Sequence, residues 1–366
     1  VMLNRLVAMM VKEFWAILRD PRARIILIMP PLTQLFILGF ATTLEVKNIA
    51  IGIYDRDQGA MSIEMAQRIA GSPNVTAVLP ITSQQEMREA IDRQTVIAVV
   101  TFEHGFSADI AAGRPALVQA VFDGRKSNAA QIVAGYLTTI AAGLGAEIAP
   151  TTMQPGTVVT HWFNPNLLYL WFTMPGLIVV LTTISGLGLT AQSVAREREL
   201  GSFDQLMVSP LHVSEILIGK VVPPVVVGVI NASFYLVVIS TAFGVPLTGS
   251  VPFFYLSLVL YLLALAGVGM LVSSASETQQ QAFLGMFLVA VPAILLSGYA
   301  SPVENMPIWL QIIAQGDPTK HFMVVSQGVF LKDMAIADLW ANTWPLGVIA
   351  LVTLGASSIL FRARME

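Results

Sequence analysis

Six apolar runs without a single Asp, Glu, Lys, Arg or His constrain this chain more than any motif in it, at 25–44, 170–191, 221–243, 253–272, 283–300 and 340–361. Each is close to the roughly 20 residues that an α-helix needs to cross a bilayer. Composition agrees: charged residues are 12% of the chain and mean hydropathy is +0.71, where soluble domains carry about 25% charge. The expected fold is a polytopic α-helical membrane protein with six transmembrane helices. Pro30-Pro31 and Pro223-Pro224 kink their helices or mark their starts, and Gly186/Gly188 and Gly267/Gly269 allow close helix packing.

Positive charge sets the expected orientation. Arg5, Lys12, Arg19, Arg22 and Arg24 precede the first run, Arg196, Arg198 and Lys220 lie between the second and third, and Arg362 and Arg364 follow the last. The loop 244–252 has no Lys or Arg. Both termini are therefore expected in the cytoplasm of a multi-pass protein, and the long segment after the first run on the other side.

That segment, 45–168, alternates strand-like and helix-like runs. Strands are expected at 49–54, 76–79, 96–102 and 117–122, and helices at 62–70, 84–93, 107–112 and 128–143. This reads as an extracytoplasmic α/β domain between transmembrane helices 1 and 2. Asp55 to Gly59 reads as a turn, with a cation site at Asp55 and Asp57 as the lesser alternative.

Residues 1–24 are expected to hold an amphipathic helix, and their long basic region and long apolar run do not read as a cleavable signal. Leu3, Leu6, Val7, Met10, Phe14, Ile17 and Leu18 share one face, and Arg5, Lys12 and Arg19 another. An interfacial helix in the headgroup layer and a cytoplasmic extension of the first span both fit this pattern.

Enzyme signatures are missing. Gly219-Lys220 is followed by Val221, so no phosphate-binding loop is formed, and neither H-E-x-x-H nor G-x-S-x-G occurs. The absence of cysteine excludes thiol chemistry and disulfides, and a net charge of -3 gives no reason to expect nucleic acid. Charge-free spans argue against an ion-coupled carrier and for energy supplied by another subunit. The cytoplasmic loop 196–210 is the most informative stretch. Glu197 and Glu199 sit in a charged cluster, Gly201 breaks the helix, and Phe203, Leu206 and Met207 fall on one side of a short helix. Ser209-Pro210 suits an N-cap and first turn for the next helix. The loop is either a docking element, with its glutamates meeting basic residues of a soluble partner, or an ordinary loop at the membrane edge.

Arg196-Glu197-Arg198-Glu199 with Gly201, Leu206, Val208 and Pro210, then Glu215-Ile216 and Gly219-Lys220, resembles the loop of ABC-2 type transporter permeases, membrane subunits of bacterial ABC exporters, in their drug-efflux-like branch. Phe163-Asn164-Pro165-Asn166, Gly244-Val245-Pro246-Leu247, Ser297-Gly298, Met306-Pro307 and Pro318-Thr319 with His321-Phe322 extend the likeness along the chain. The resemblance implies a permease in the bacterial inner membrane without its own ATPase site or cofactor, with ATP and Mg bound by a partner ATP-binding cassette subunit. It also implies a second permease copy or paralogue, for some relatives a periplasmic adaptor, and an outer re-entrant segment at 301–315. Its ATPase-coupling residues would be Glu197, Glu199, Gly201, Phe203, Leu206, Met207 and Pro210, supported by the interfacial helix with Arg5, Lys12, Phe14 and Arg19. The rival expectation is a membrane-anchored sensor or scaffold whose outer domain binds a ligand.

Overall fold

The computed structural model describes residues 2–19, 32–37, 49–123, 125, 127–148, 169–203 and 211–363. The chain divides into two units, Thr43–Thr160 and the remainder. Helix α1 spans Met2–Arg19. A short helix α2 covers 32–37, with Leu35 buried. The rest of the expected first span, Pro30-Pro31 included, lies outside the described residues.

The second unit is α/β. Its elements are β1 Ile49–Asp55, α3 Ala60–Ala70, β2 Val75–Pro80, α4 Gln84–Asp92, β3 Ala98–Phe102, α5 Phe106–Ala111, β4 Val118–Phe122 and α6 Ser127–Ile148. The sheet order is β2-β1-β3-β4; β1 runs parallel to β2 and β3, and β4 antiparallel to β3. Strand β3 is buried at every position, which is why it reads as an apolar run interrupted only by Thr101. The period of two sends Ala98, Val100 and Phe102 toward α3, α5 and α6, and Val99 toward Ile81 and α4.

The Asp55–Gly59 segment is a turn, and its carboxylates are occupied by the protein itself. Asp55 Oδ1 accepts from the N–H groups of Asp57 and Gln58 at 2.9 Å, and Ser62 Oγ donates to Oδ2 at 2.8 Å. Asp57 accepts from Gly105 N–H at 3.0 Å and from the N–H and hydroxyl of Ser107. Two acidic side chains thus fasten the starts of α3 and α5. A Cβ on Gly59 would run into Ser107 and Asp57.

The membrane unit continues with α7 Tyr169–Glu199, α8 Val213–Thr241, α9 Val251–Ala275, α10 Gln279–Leu296, α11 Ile308–Gln315, α12 Pro318–Gln327 and α13 Ile336–Ala363. Among the described residues, six helices are long and apolar enough to cross a membrane: α7 to α10, α13 and Ala129–Ile148 within α6. The last is set apart by its packing. Val133, Leu137 and Leu144 form a stripe buried in the α/β core, and Glu147 near its end pairs with Arg68 of α3 at 2.6 Å.

The helices outrun the apolar runs that announced them. Helix α7 has 31 residues and α8 has 29; at about 1.5 Å per residue both exceed the roughly 30 Å of hydrocarbon. Helix α8 begins eight residues before its expected span (Val213 against 221), so Pro223-Pro224 lie inside it and do not mark its start. Its N-cap is His212, with Glu215 closing back on the His212 N–H at 2.8 Å; the expected Ser209-Pro210 cap does not begin this helix.

Helix α9 is the centre, between α7 and α13. A Cβ on Gly269 would strike Thr190 of α7, and one on Gly267 would strike Thr353 and Leu354 of α13. Both glycines therefore serve backbone approach, the role small residues play where helices meet in lipid. Helix α10 exposes Leu284, Leu288, Val291 and Leu295, and α13 exposes Leu351, Val352 and Ile359. Apolar outer faces on helices already packed on their inner side suit a hydrocarbon solvent.

Candidate functional site

The end of the membrane unit built from α1, the last turn of α7, the first turns of α8 and the last turn of α13 gathers most of the residues singled out in the sequence. Met9, Val194, Phe203, Ile216, Val221, Ala266, Met270 and Phe361 form one buried cluster there. Helix α1 lies so close to α8 that a Cβ on Gly219 would overlap the Met9 side chain.

A charge network runs through this contact. Lys220 of α8, with no exposed surface, places Nζ 2.8 Å from Glu197 Oε2 and 3.1 Å from Glu13 Oε1. Lys12 Nζ lies 2.7 Å from Glu197 Oε1. Four side chains from α1, α7 and α8 therefore alternate in sign. Charge at such depth is tolerated only when each group is paired.

Both glutamates have partners within the chain. Glu197 is held by Lys12 and Lys220, and Glu199 Oε2 accepts from the Gln279 N–H at 2.8 Å, at the first turn of α10. Arg198 completes the clamp by donating to Ser274 O at 3.0 Å and Ser276 O at 3.1 Å, at the end of α9. A carboxylate at a helix start and a guanidinium at a helix end are the pairings that the helix dipole favours. The physical reason is phase: α7 keeps its 3.6-residue period past Ala195, so its last turn still packs on neighbouring helices.

Gly201 is the break that the sequence indicated. Its φ is +71°, Gly201 N–H donates to Arg198 O at 3.0 Å and Ser202 N–H to Glu197 O at 2.9 Å. That is a Schellman ending, which needs the left-handed residue that glycine supplies without strain. Phe203 then turns inward. It is 7% exposed, meets Phe361 edge-on at 5.9 Å and lies under Arg198 at 5.0 Å. It is part of the core here and not a free knob. Leu206, Met207 and Pro210 lie outside the described residues.

Helix α1 also differs from its sequence reading. Met9, Lys12 and Glu13 face the unit, so the basic stripe is partly turned inward through Lys12. Val7, Val11 and Trp15 are exposed, and Phe14 and Arg5 are half-buried. Arg19 stacks over Trp15 at 4.7 Å. Sequence reasoning missed the pairing of Glu13 with Lys220; with the apolar run taken to begin at Val221, Lys220 falls among the charges of the preceding loop.

At the opposite end of α9, a one-turn 3-10 helix Val303–Asn305 leads into α11, which exposes Ile308, Trp309, Ile312 and Ile313 and buries Ala314. Helix α12 is buried against α7, α9 and α13.

The chain has clear relatives. A family model described as "ABC-2 family transporter protein" matches residues 23–359. The probable multidrug ABC transporter permease YbhR of Escherichia coli K12 is 44% identical, over 100% of both chains. The probable multidrug ABC transporter permease YbhS of the same organism is 27% identical, over 99% of this chain and 98% of the relative. The inner membrane transport permease YhhJ is 28% identical, over 90% and 89%. With the match extending through the spanning helices and the α1–α7–α8 seat alike, this chain belongs to the ABC-2 family of transporter proteins.

Proposed function

We propose that this chain is the membrane-spanning permease subunit of an ATP-driven exporter in the bacterial inner membrane, moving substrate out of the cytoplasm or the membrane. Energy comes from a separate ATP-binding cassette subunit that holds ATP and Mg. A second permease copy or paralogue completes the pathway, and a periplasmic adaptor joins some assemblies. Both termini and the α1 seat face the cytoplasm, and the α/β unit lies outside. Helix α11 dips its exposed Ile and Trp side chains into the outer leaflet as the re-entrant segment.

The observation that carries this reading is the charge network Lys12–Glu197–Lys220–Glu13. It ties α1 to α7 and α8 where the loop between those helices emerges. A soluble subunit pressing on that loop would move three helices as one body, which is what coupling requires. Glu197, Glu199, Gly201 and Phe203 build the seat, and the loop beyond them, with Leu206, Met207 and Pro210, makes the contact. Arg5, Phe14 and Arg19 hold α1 in the headgroup layer beside it.

The test keeps the core intact. Leu206→Asp with Met207→Asp removes two apolar side chains, each worth roughly 1.5–3 kcal/mol when buried, and leaves Phe203 in place. The variant is expected to insert at wild-type levels, to lose the co-purifying ATP-binding subunit, and to lose substrate-stimulated ATP turnover. The chain purified alone should not hydrolyse ATP. Wild-type co-purification and turnover in the double variant would remove the loop from the coupling pathway.

A further inference from the structure

Asp317 sits at the start of α12, away from the α1 seat. It is 6% exposed. Its Oδ1 accepts from the Thr319 N–H at 2.9 Å, while Oδ2 is fully buried with no partner. The Thr319 hydroxyl is also buried without a well-formed hydrogen bond, although it lies beside both the Asp317 carboxyl and the Tyr261 phenol. The titratable groups around Asp317 are Tyr261 from α9, and His321 and Lys320 from α12. None of them neutralises it. Lys320 Nζ donates to Gln315 Oε1 at 2.9 Å, and the His321 ring meets Gln315 O at 2.9 Å and Asn342 of α13 at 3.4 Å. Tyr261 in turn meets a hydroxyl from α7, Thr183.

Counting hydrogens along this string decides the state of the carboxyl. Thr183 Oγ1 donates its one hydrogen to Val179 O at 2.7 Å. In its contact with Tyr261 it must therefore accept, so the phenol donates to it. The Tyr261 oxygen can then only accept, and its available donor is the Thr319 hydroxyl. Thr319 Oγ1 in turn can accept, and the one group beside it able to supply a hydrogen is Asp317, if it carries a proton on Oδ2. With a carboxylate, the single Thr319 hydrogen faces two acceptors, and the buried charge is met by the backbone N–H groups of Thr319 and Lys320 but by no cationic side chain, an arrangement that still carries a desolvation cost. With the acid, every orphan in the string is satisfied.

We propose that Asp317 is a proton-binding site of the membrane unit, a neutral carboxylic acid that donates to Thr319 and ends a hydrogen-bond string from α12 through α9 to α7. Burial pushes this carboxyl up to about 6, so the proton exchanges near physiological pH. Release of the proton leaves a negative charge between packed helices and loosens α12; uptake from solvent locks it. The site therefore gives the transport unit a response to pH that does not pass through the ATPase.

Asp317→Asn tests this, because its amide N–H replaces the acid O–H and its oxygen still accepts from Thr319. Reconstituted full-length wild type and variant are unfolded thermally at pH 4.5 and 7.5. The folded carboxyl titrates higher than the unfolded one, so the wild type loses stability as pH rises from about 4 to about 6. The variant is expected to match wild type at pH 4.5 and to exceed it by about 4 °C or more at pH 7.5. Infrared difference spectra between the two pH values should show a protonated-carboxyl band in wild type that is absent from the variant. A variant less stable than wild type at pH 7.5 would mean that the negative charge is needed, and would overturn the proposal. So would stabilisation of wild type, but not of the variant, by Na⁺ or K⁺, which would assign the site to a metal cation.

Discussion

Lys220 has no exposed surface, and the two carboxylates against it come from different helices, Glu13 of α1 and Glu197 of α7. Desolvating an ammonium is costly, and a well-packed apolar group often does as well in its place, so the network is a specificity device more than a source of net stability. Removing one member is a different matter, because the partners remain buried and charged. Lys220→Met is expected to destabilise the protein by about 3–5 kcal/mol and to free α1, seen as a lowered thermal midpoint and faster proteolysis within residues 2–19. Adding Glu13→Gln and Glu197→Gln should recover much of the loss, since the stranded charges go with them. A triple variant no better than Lys220→Met would deny the charges this role. Little of this was legible in the sequence. Glu13 and Lys220 are 207 positions apart, and nothing local marks them as partners. In the sequence Lys220 reads as a loop charge, as the residue after Gly219 in a failed phosphate-loop pattern and as part of the family likeness, never as a partner of Glu13. Gly201 was legible because its signal is local: a glycine after a charged helix end.

Secondary structure followed the sequence where the period was clean. The four strands and four helices of the α/β unit form within a few residues of where alternation and helical spacing placed them. The misplaced boundaries belong to α7 and α8, where hydropathy reports the lipid crossing and not the helix, which continues into charged turns. The turn between β1 and α3 shows how an acidic element can be structural. Hydrogen bonds from the Ser107 hydroxyl, first, and from backbone N–H groups hold the Asp57 carboxyl below its ordinary range. A carboxylate titrating lower when folded stabilises above its unfolded value, near 4, and that contribution is lost as pH falls through the folded value. Pepsin should therefore cut the α/β unit of the full-length protein more readily as pH falls below about 4. Asp57→Asn should be cut faster than wild type near pH ~4, and the difference should shrink as the pH is lowered further. Equal cutting throughout would show that the Asp57 bonds do not hold α3 and α5 together.

Which side of the membrane each unit occupies is a property of the whole chain. Five of the expected spans are present as α7 to α10 and α13, and the first, at 25–44, is described only over 32–37. The proposed orientation rests on charge: Arg and Lys cluster in and just after α1, at the last turn of α7 and early in α8, and at the end of α13, the distribution expected of segments on the cytoplasmic side. Exposed Trp309, Trp340 and Trp344, near the opposite end of the helices, suit the headgroup level on the far side. The chain has no cysteine, so single cysteines report position without background. Leu117→Cys is the better outer probe, because Leu117 is 86% exposed and packs against nothing that the substitution would disturb. Ser107 is unsuitable, since its hydroxyl fastens Asp57. Leu117→Cys should react with a membrane-impermeant maleimide on intact spheroplasts, and Asp204→Cys only after the membrane is opened. Labelling of Asp204→Cys on closed spheroplasts, with Leu117→Cys protected, would invert the protein and place the α1 seat beyond the reach of any cytoplasmic ATPase.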